Sequence, residues 1–526
     1  MKQLKACTKV CISLLTAILM CNSNAFISAS AETDSASTNN ESEVVEFKVM
    51  SSIWGDHEKS LNSDKSNEIL DLLMKNAGVK ITYDWYPQDQ YSNRVTTTLA
   101  SGDIPEVING ASTALINEDA ALPLDELLEK YGDNILNSYK DIPVEATKLK
   151  SVIDGKTYAI PFILKFPQAY SWSIRTDWLK NVGIEKKPET WDEWLEVWEA
   201  FKTKDPNGDG NKDNDIPLSV DIYSMMPIFG INTANKFGFY VDDNNTYTIA
   251  EESEHFDDFM TAMRDLYSKG YLDPEFAQRG VYVDVMKQAE AINSGVVGST
   301  FTWAETTRTT TAALQEVQKD AKLEGVRPPV GPQGHSALPS RSQITPTSSL
   351  TIAAKGKEEA IIKYFNYVFS DEGKLISSYG IEGKHYEIKD GKPHILEPYV
   401  NSFKEARQAG INFTPVSHNF DPSAYEEIMM TGKSYEESPE TTKLFYDALN
   451  IGNDYFFTSA PILNTETYIA ESTELLSQLA SARAECVAGN ISLDEFKSRY
   501  QSIKDSGLGR IIEEQNEAWQ AMTAKN

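Results

Sequence analysis

Between Asp205 and Ser219 the chain reads DPNGDGNKDNDIPLS, with four aspartates, three asparagines and two glycines. Asp205, Asn207 and Asp209 stand at alternate positions, Gly210 is sixth, Asn211 seventh and Asp213 ninth. This is the spacing of an EF-hand calcium loop, with oxygen ligands at one, three and five, a backbone carbonyl at seven and glycine at the sharp turn. Two features depart from it. Ile216 stands at position twelve, where a bidentate Glu belongs, which leaves Asn214 or Asp215 to supply the last oxygens. The following IPLSV, with its proline and alternation, does not start a second helix. The expectation is half an EF-hand over 205–216, holding a structural Ca2+ through Asp205, Asn207, Asp209, the Asn211 carbonyl, Asp213, and Asn214 or Asp215. Carboxylates this close repel one another unless a cation lies among them. The competing reading is a solvated acidic turn.

Catalytic signatures are missing. There is no G-x-S-x-G elbow, no H-E-x-x-H, no P-loop and no dinucleotide glycine fingerprint. The six histidines show no metal spacing, and no carboxylate pair marks itself as a glycosidase site. What stands out is aromatic residues beside loop signals: Trp54 in SSIWGDHEK, Trp172, Trp303 in STFTWAE, and Tyr379 and Tyr386 around GIEGKH. Sugar rings stack their apolar faces on aromatic rings while their hydroxyls need fixed donors and acceptors, so a saccharide cleft mixes Trp and Tyr with polar side chains. Trp303, with Thr302, Glu305 and Thr306 around it, reads as an exposed loop position; each of the other aromatics reads better as core.

The elements that would position these residues are α/β in pattern. VVEFKV alternates as a strand, NEILDLLMKNAG carries Ile69, Leu70, Leu72, Leu73 and Met74 at helical spacing before Gly78, and VKITYDWYP alternates again. Strand, helix and strand in this order predict parallel pairing. ETWDEWLEVWEAFKTK opens with a capping box, Thr190 and Glu193, and places Trp191, Trp194, Trp198 and Phe201 in one apolar stripe that reads as core. A helix therefore delivers the chain into the acidic loop. Ser492 and Glu495 form a second capping box, with Gly507 expected to close that helix.

The chain has 526 residues, more than one hydrophobic core accommodates, so two or more lobes are expected. Its formal net charge of −29 argues against nucleic acid, whose phosphates reward Lys and Arg. Lys2, Lys5 and Lys9, the apolar run VCISLLTAILM and the small residues Ala29–Ala31 read as an export signal over 1–31. Lipid attachment at Cys21 is the alternative, although Met20 fits a lipobox poorly. Residues 32–43 are polar and low in complexity, as in a disordered tether. Of the four cysteines only Cys486 lies beyond the signal region, so no internal disulfide framework is expected.

Taken in order, WGD, GVKITYDWYP, SGDIPEVING, YAIPF, YSWSIRTDWLKNVGI and PETWDEWLEVWEAFK resemble the ABC-transporter extracellular solute-binding proteins of family 1, the sugar-binding class that includes maltose-binding protein. SLTIAAKGKEEAIIKYFNYVFSDEGKLISSYG resembles the same family's return segment. The acidic loop and YGIEGKHYEIKDGKP resemble the long Gram-positive members, the LipO-like lipoproteins and the alginate-binding proteins. The resemblance implies a two-lobed, type II periplasmic-binding-protein-like α/β fold, with the ligand in the cleft between lobes. Lobe 1 is expected over 44–157 plus 325–387 and lobe 2 over 158–324 plus 388–526, with crossings near 155–160, 320–330 and 385–390.

It further implies a monomer, exported and held at the cell surface if Cys21 is lipidated. Its partners would be an oligosaccharide and the permease subunits of an ABC importer, and it would do no chemistry of its own. A secreted calcium-stabilised carbohydrate-active enzyme, or a binding protein for a peptide or other non-sugar solute, are the alternatives. Carried over by position, the resemblance nominates Trp54, Asp56, His57, Asn109, Ser112, Tyr223, Trp303 and Tyr379 as ligand-binding residues. It nominates Gln168 as well, where maltose-binding protein has an acidic residue.

Overall fold

Strand Val45–Ile53 begins by alternating, Phe47 and Val49 buried between exposed Glu46 and Lys48, and then is buried on both faces through Met50 and Ser51. That pattern belongs to a sheet covered by helices on both sides. The structure, a computed structural model, describes residues 44–524 apart from 54, 143–145, 152–153, 164–169, 281, 340–343, 413–417, 420, 432–438, 458–459 and 464. The expected signal over 1–31 with Cys21, the tether over 32–43, Trp54 and Gln168 lie outside the described residues, as does the side chain of Asp56.

The first sheet has five strands in the order Val79–Pro87, Val45–Ile53, Val107–Asn109, Ile344–Leu350 and Ile160–Ile163. The first three are parallel and the last two run antiparallel to their neighbours. Helix Glu68–Ala77 covers one face. Asn67 caps it through Ile69 and Leu70 N–H, Gly78 ends it at φ 69°, and Ile69, Leu70, Leu73 and Met74 are buried. The second sheet runs Leu323–Val326, Tyr170–Arg175, Val297–Trp303 and Ile216–Ser219. Helix Trp191–Thr203 starts at the expected Thr190–Glu193 capping box and buries Trp194, Val197, Trp198 and Phe201 under this sheet. The tryptophan stripe is core, as its spacing implied. Ser492 accepts from Glu495 N–H, but Gly507 (φ 150°) marks a kink between helices Leu493–Ile503 and Gly509–Thr523 and does not end the helical section.

Two separate cores confirm a two-lobed α/β architecture, but the grouping of segments differs from the one expected. Ile160–Ile163, expected in lobe 2, is an edge strand of the first sheet. Val326 and Leu338, expected in lobe 1, pack in the second core. Ile395, Ala406, Ile411, Ala424 and Ile428, expected in lobe 2, pack in the first. The resemblance had placed a crossing near 385–390; the chain there instead builds a hairpin, Tyr386–Lys389 against Lys392–Ile395. The chain passes from the first core to the second between Ile163 and Tyr170, back between Pro339 and Ile344, and over again between helices Pro422–Thr431 and Pro439–Asn453.

Gly298 marks where the tryptophan helix meets the second sheet. A Cβ there would lie 2.5 Å from Phe201 Cδ2 and 2.8 Å from Trp178 Cε3. Gly298→Ala is expected to lower unfolding free energy by about 1–3 kcal/mol through overpacking. Chemical denaturation measures this, and an unchanged midpoint would contradict the tight contact.

Candidate functional site

Strand direction decides which residues share one end of each sheet. In the first sheet the parallel strands end at Ile53 and Asn109, while Ile344 and Ile163, paired with each other, lie at that same end on the antiparallel strands. In the second sheet Tyr170 pairs with Trp303, and Ser219, parallel to Thr300, sends the chain out towards Asp221 at the same end. The crossing from Ile163 to Tyr170 therefore joins these two ends. Ligands of open α/β sheets bind at such strand ends.

On the first lobe, Asn109 is fixed from all sides. Its Nδ2 donates to Ser51 Oγ (3.1 Å), its Oδ1 accepts from Ser348 Oγ (2.6 Å), and Ser348 Oγ lies 2.7 Å from His418 Nε2. Tyr91 Oη donates to the Asn109 carbonyl at 2.6 Å. Gly110, at φ 65°, turns the chain into helix Ser112–Asn117. Ser112 lines a cavity of about 350 Å³ closed on the other side by Pro461, Leu463 and Ile469, which belong to the second lobe. It also lines a neighbouring cavity of about 680 Å³ beneath Gln88 and Tyr91. Space between the lobes thus runs along the helix that begins at Ser112.

On the second lobe, Trp303 ends its strand half-buried, its ring centroid 4.7 Å from that of Tyr170. Tyr170 in turn meets Tyr282 edge-on at 6.0 Å. Below them Asp221, fully buried, accepts Ser224 N–H (2.8 Å) and Oγ–H (2.9 Å) on Oδ1 and Tyr282 N–H (3.0 Å) on Oδ2. Burial outweighs these donors and pushes its carboxyl up to about 6.

The nominated residues divide. Asn109, Ser112 and the short helix Gly55–Glu58 that contains Asp56 and His57 gather at the first-sheet end, and Trp303 at the second. His57 is closed to solvent in the first lobe. Tyr223 is a core residue, its ring 5.6 Å from the guanidinium of Arg483, which forms a buried pair with Glu251. Tyr379, 3 % exposed, packs edge-on against Tyr386 in the first core. Both tyrosines follow the apolar side of their elements inward, and proximity to a loop in sequence had disguised this. Trp172 is likewise core. Tyr170, Asp221, Tyr282, Ser348 and His418 were not nominated. The alternation of Tyr170 with Trp172, two residues past a crossing, was the available signal for the first of them.

The acidic loop lies between helix Trp191–Thr203 and strand Ile216–Ser219. It is turned by positive φ at Asp205, Gly208 and Gly210, and Asp209 accepts from Asn211 N–H (2.7 Å) and Asn214 Nδ2–H (2.8 Å). Among the described residues no three acidic, His or Cys side chains gather as a metal-holding group. Four buried oxygens nevertheless have no hydrogen-bond partner: Asp205 Oδ1, Asn214 Oδ1 and both of Asp215. Asp215 is 1 % exposed, and burial, then Asp205 and Asp209, push its carboxyl up to about 7. Orphaned hard oxygens in an acidic turn fit a cation such as calcium.

Comparison with known proteins places this geometry. The family model described as bacterial extracellular solute-binding protein matches residues 58–375. Lipoprotein LipO of Bacillus subtilis (strain 168) is 25 % identical over 481 residues, 87 % of this chain and 90 % of LipO. The fructooligosaccharide ABC transporter substrate-binding protein FusA of Streptococcus pneumoniae serotype 4 is 30 % identical over 229 residues, 39 % of this chain and 41 % of FusA. Alginate-binding protein AlgQ2, solved without calcium ion, superposes with a TM-score of 0.68 at 20 % identity, covering 90 % of this chain and 98 % of its own. A FusA EF-hand mutant in complex with fructo-nystose superposes with a TM-score of 0.65 at 18 % identity, covering 91 % and 100 %.

The raised carboxyl of Asp221 has a readable consequence. An acid whose folded pKa is about 6, against an ordinary 3.8, stabilises the fold below about pH 4 and loses that contribution as pH climbs through 6. At about 1.4 kcal/mol per pH unit the loss is about 3 kcal/mol. Asp221→Asn does not titrate and gives up the acceptor for Tyr282 N–H. The stability advantage of the wild type over this variant should therefore shrink by up to about 3 kcal/mol between pH 4 and pH 7. A gap independent of pH in urea titrations would contradict it.

Proposed function

The chain belongs to the bacterial extracellular solute-binding protein family, and from that premise we propose that it captures an oligosaccharide between its lobes and hands it to the permease of an ABC importer, without chemistry on the ligand. The observation that carries this reading is the pairing of unlike groups at two joined strand ends. Trp303 and Tyr170 offer aromatic faces from the second lobe, while Ser112, three residues past the locked side chain of Asn109, lines the cavity from the first. A sugar needs both, one for its ring face and the other for its hydroxyls. Trp54, Asp56 and Gln168 extend the same reading; His57, Tyr223 and Tyr379 leave it, being buried. Closure on the ligand drives transport only if the closed form binds better than the open one, and a ligand gripped by both lobes meets that condition. The protein acts as an exported monomer, anchored through Cys21 or secreted. No helix among the described residues is long and apolar enough to cross a membrane.

The acidic loop in this reading holds calcium through Asp205, Asn214 and Asp215, with Asn207, Asp209, Asp213 and the Asn211 carbonyl completing the oxygen set. The ion supplies charge neutralisation among carboxylates, a structural task.

A thermal-shift screen of the exported portion of the chain tests the ligand, using fructo-oligosaccharides, alginate oligosaccharides, neutral glucans and peptides. At about a hundred times its dissociation constant a ligand adds about 2.7 kcal/mol to the folded state. A shift with one glycan class, with the glycan recovered intact by mass spectrometry, is expected. Cleaved glycan would establish the enzyme instead, and a shift with peptides alone would replace the sugar. For the ion, EGTA is expected to lower the melting temperature by several degrees in the wild type and leave Asp215→Asn unaffected. Calcium lost without any change in melting would contradict a structural role.

A further inference from the structure

Buried polar groups in proteins nearly always find a hydrogen-bond partner, and each exception requires a reason. In the second lobe, among the described residues, five such exceptions are aromatic: the indole N–H groups of Trp172, Trp178 and Trp194, and the hydroxyls of Tyr282 and, on helix Pro439–Asn453, Tyr446. The three tryptophans are fully enclosed in the second core, among other rings. Tyr282 is placed differently. Its ring is partly exposed while its hydroxyl is covered, and it packs edge-on against Tyr170, the first described residue after the crossing from the first lobe.

The backbone around Tyr282 is held in place by a buried carboxylate. Its N–H donates to buried Asp221, the residue that follows the strand Ile216–Ser219 by two. Gly280, at φ 120°, brings the chain so close that a Cβ there would lie 2.2 Å from Asp221 Oδ2, so only glycine lets this turn seat on the carboxylate. A fixed main chain therefore holds a phenol beside the Tyr170–Trp303 pair, and its covered hydroxyl has no hydrogen-bond partner among the described residues.

We propose that Tyr282 is a further ligand-recognising residue of the second lobe, its hydroxyl donating to an oxygen of the bound saccharide next to the ring stacked on Trp303 and Tyr170. The inference rests on the oligosaccharide reading above and assigns a specificity-determining contact within it. Energetically the hydroxyl is a group whose desolvation is already suffered by the unliganded fold, so a ligand oxygen that satisfies it gains more than the same contact at an exposed hydroxyl.

The test is Tyr282→Phe, which keeps the ring and removes only the orphaned oxygen. Melting of the variant alone should match the wild type or rise slightly, because no partner is lost. Affinity for whichever of the fructo-oligosaccharides, alginate oligosaccharides or neutral glucans binds the wild type should fall about tenfold or more, measured by isothermal titration. Trp303→Ala, measured beside it, should weaken the same glycan. A fall of several degrees in the variant's own melting temperature would show that the hydroxyl is satisfied within the fold and would overturn the assignment. Undiminished affinity in Tyr282→Phe would overturn it too, and if Trp303→Ala still weakens binding, the oligosaccharide site survives without Tyr282. A wild type that binds none of these glycans would instead remove the oligosaccharide reading, and this contact with it.

Discussion

Six residues separate Ile163, paired at the end of the first sheet, from Tyr170, paired at the end of the second, and four separate Pro339 from Ile344. A chain spans at most about 3.3–3.6 Å per residue, so these links hold the strand ends within about 25 Å and 18 Å of one another. Whatever the lobes do, they do it about those ends. On the proposed reading the solute is gripped there, by Ser112 from one side and Tyr170 and Trp303 from the other, while the two hydrophobic cores lie behind them.

Rigidity behind the site comes from packing that differs between the lobes. The second core is aromatic, with Trp172, Trp178, Trp194 and Trp198 fully buried and Gly298 leaving room for Phe201 against the sheet. Two of its buried arginines are paired, Arg483 with Glu251 and Arg175 with Asp177. The acidic loop enters this lobe at a consequential point. It ends in Asp215, directly before the strand whose far end leads to Asp221, and Asp221 holds the backbone of Tyr282. Order in the loop is thus connected through one short strand to the backbone of Tyr282.

Much of this was legible in the residues. The capping box at Thr190, the tryptophan stripe and the glycine stop at Gly78 are local signals, and local signals survive folding because their causes lie within a few residues. The family resemblance carried the two-lobed fold. Segment boundaries were not legible, because 395–428 joins the first core through contacts with residues hundreds of positions earlier. Nor did nearness to a loop in sequence distinguish a cleft aromatic from a core one. Trp303 stands at a strand end, whereas Tyr379 turns inward from the last turn of a helix. Tyr282 has no sequence signature at all, since its interest lies in what its hydroxyl does not touch.

The most direct test of the interlobe site is hydrogen–deuterium exchange with and without the glycan that gives the largest thermal shift. Protection is expected in both lobes at once, along the turn and helix 110–117 and around Tyr170, Tyr282 and Trp303. Protection confined to one lobe would contradict capture between them.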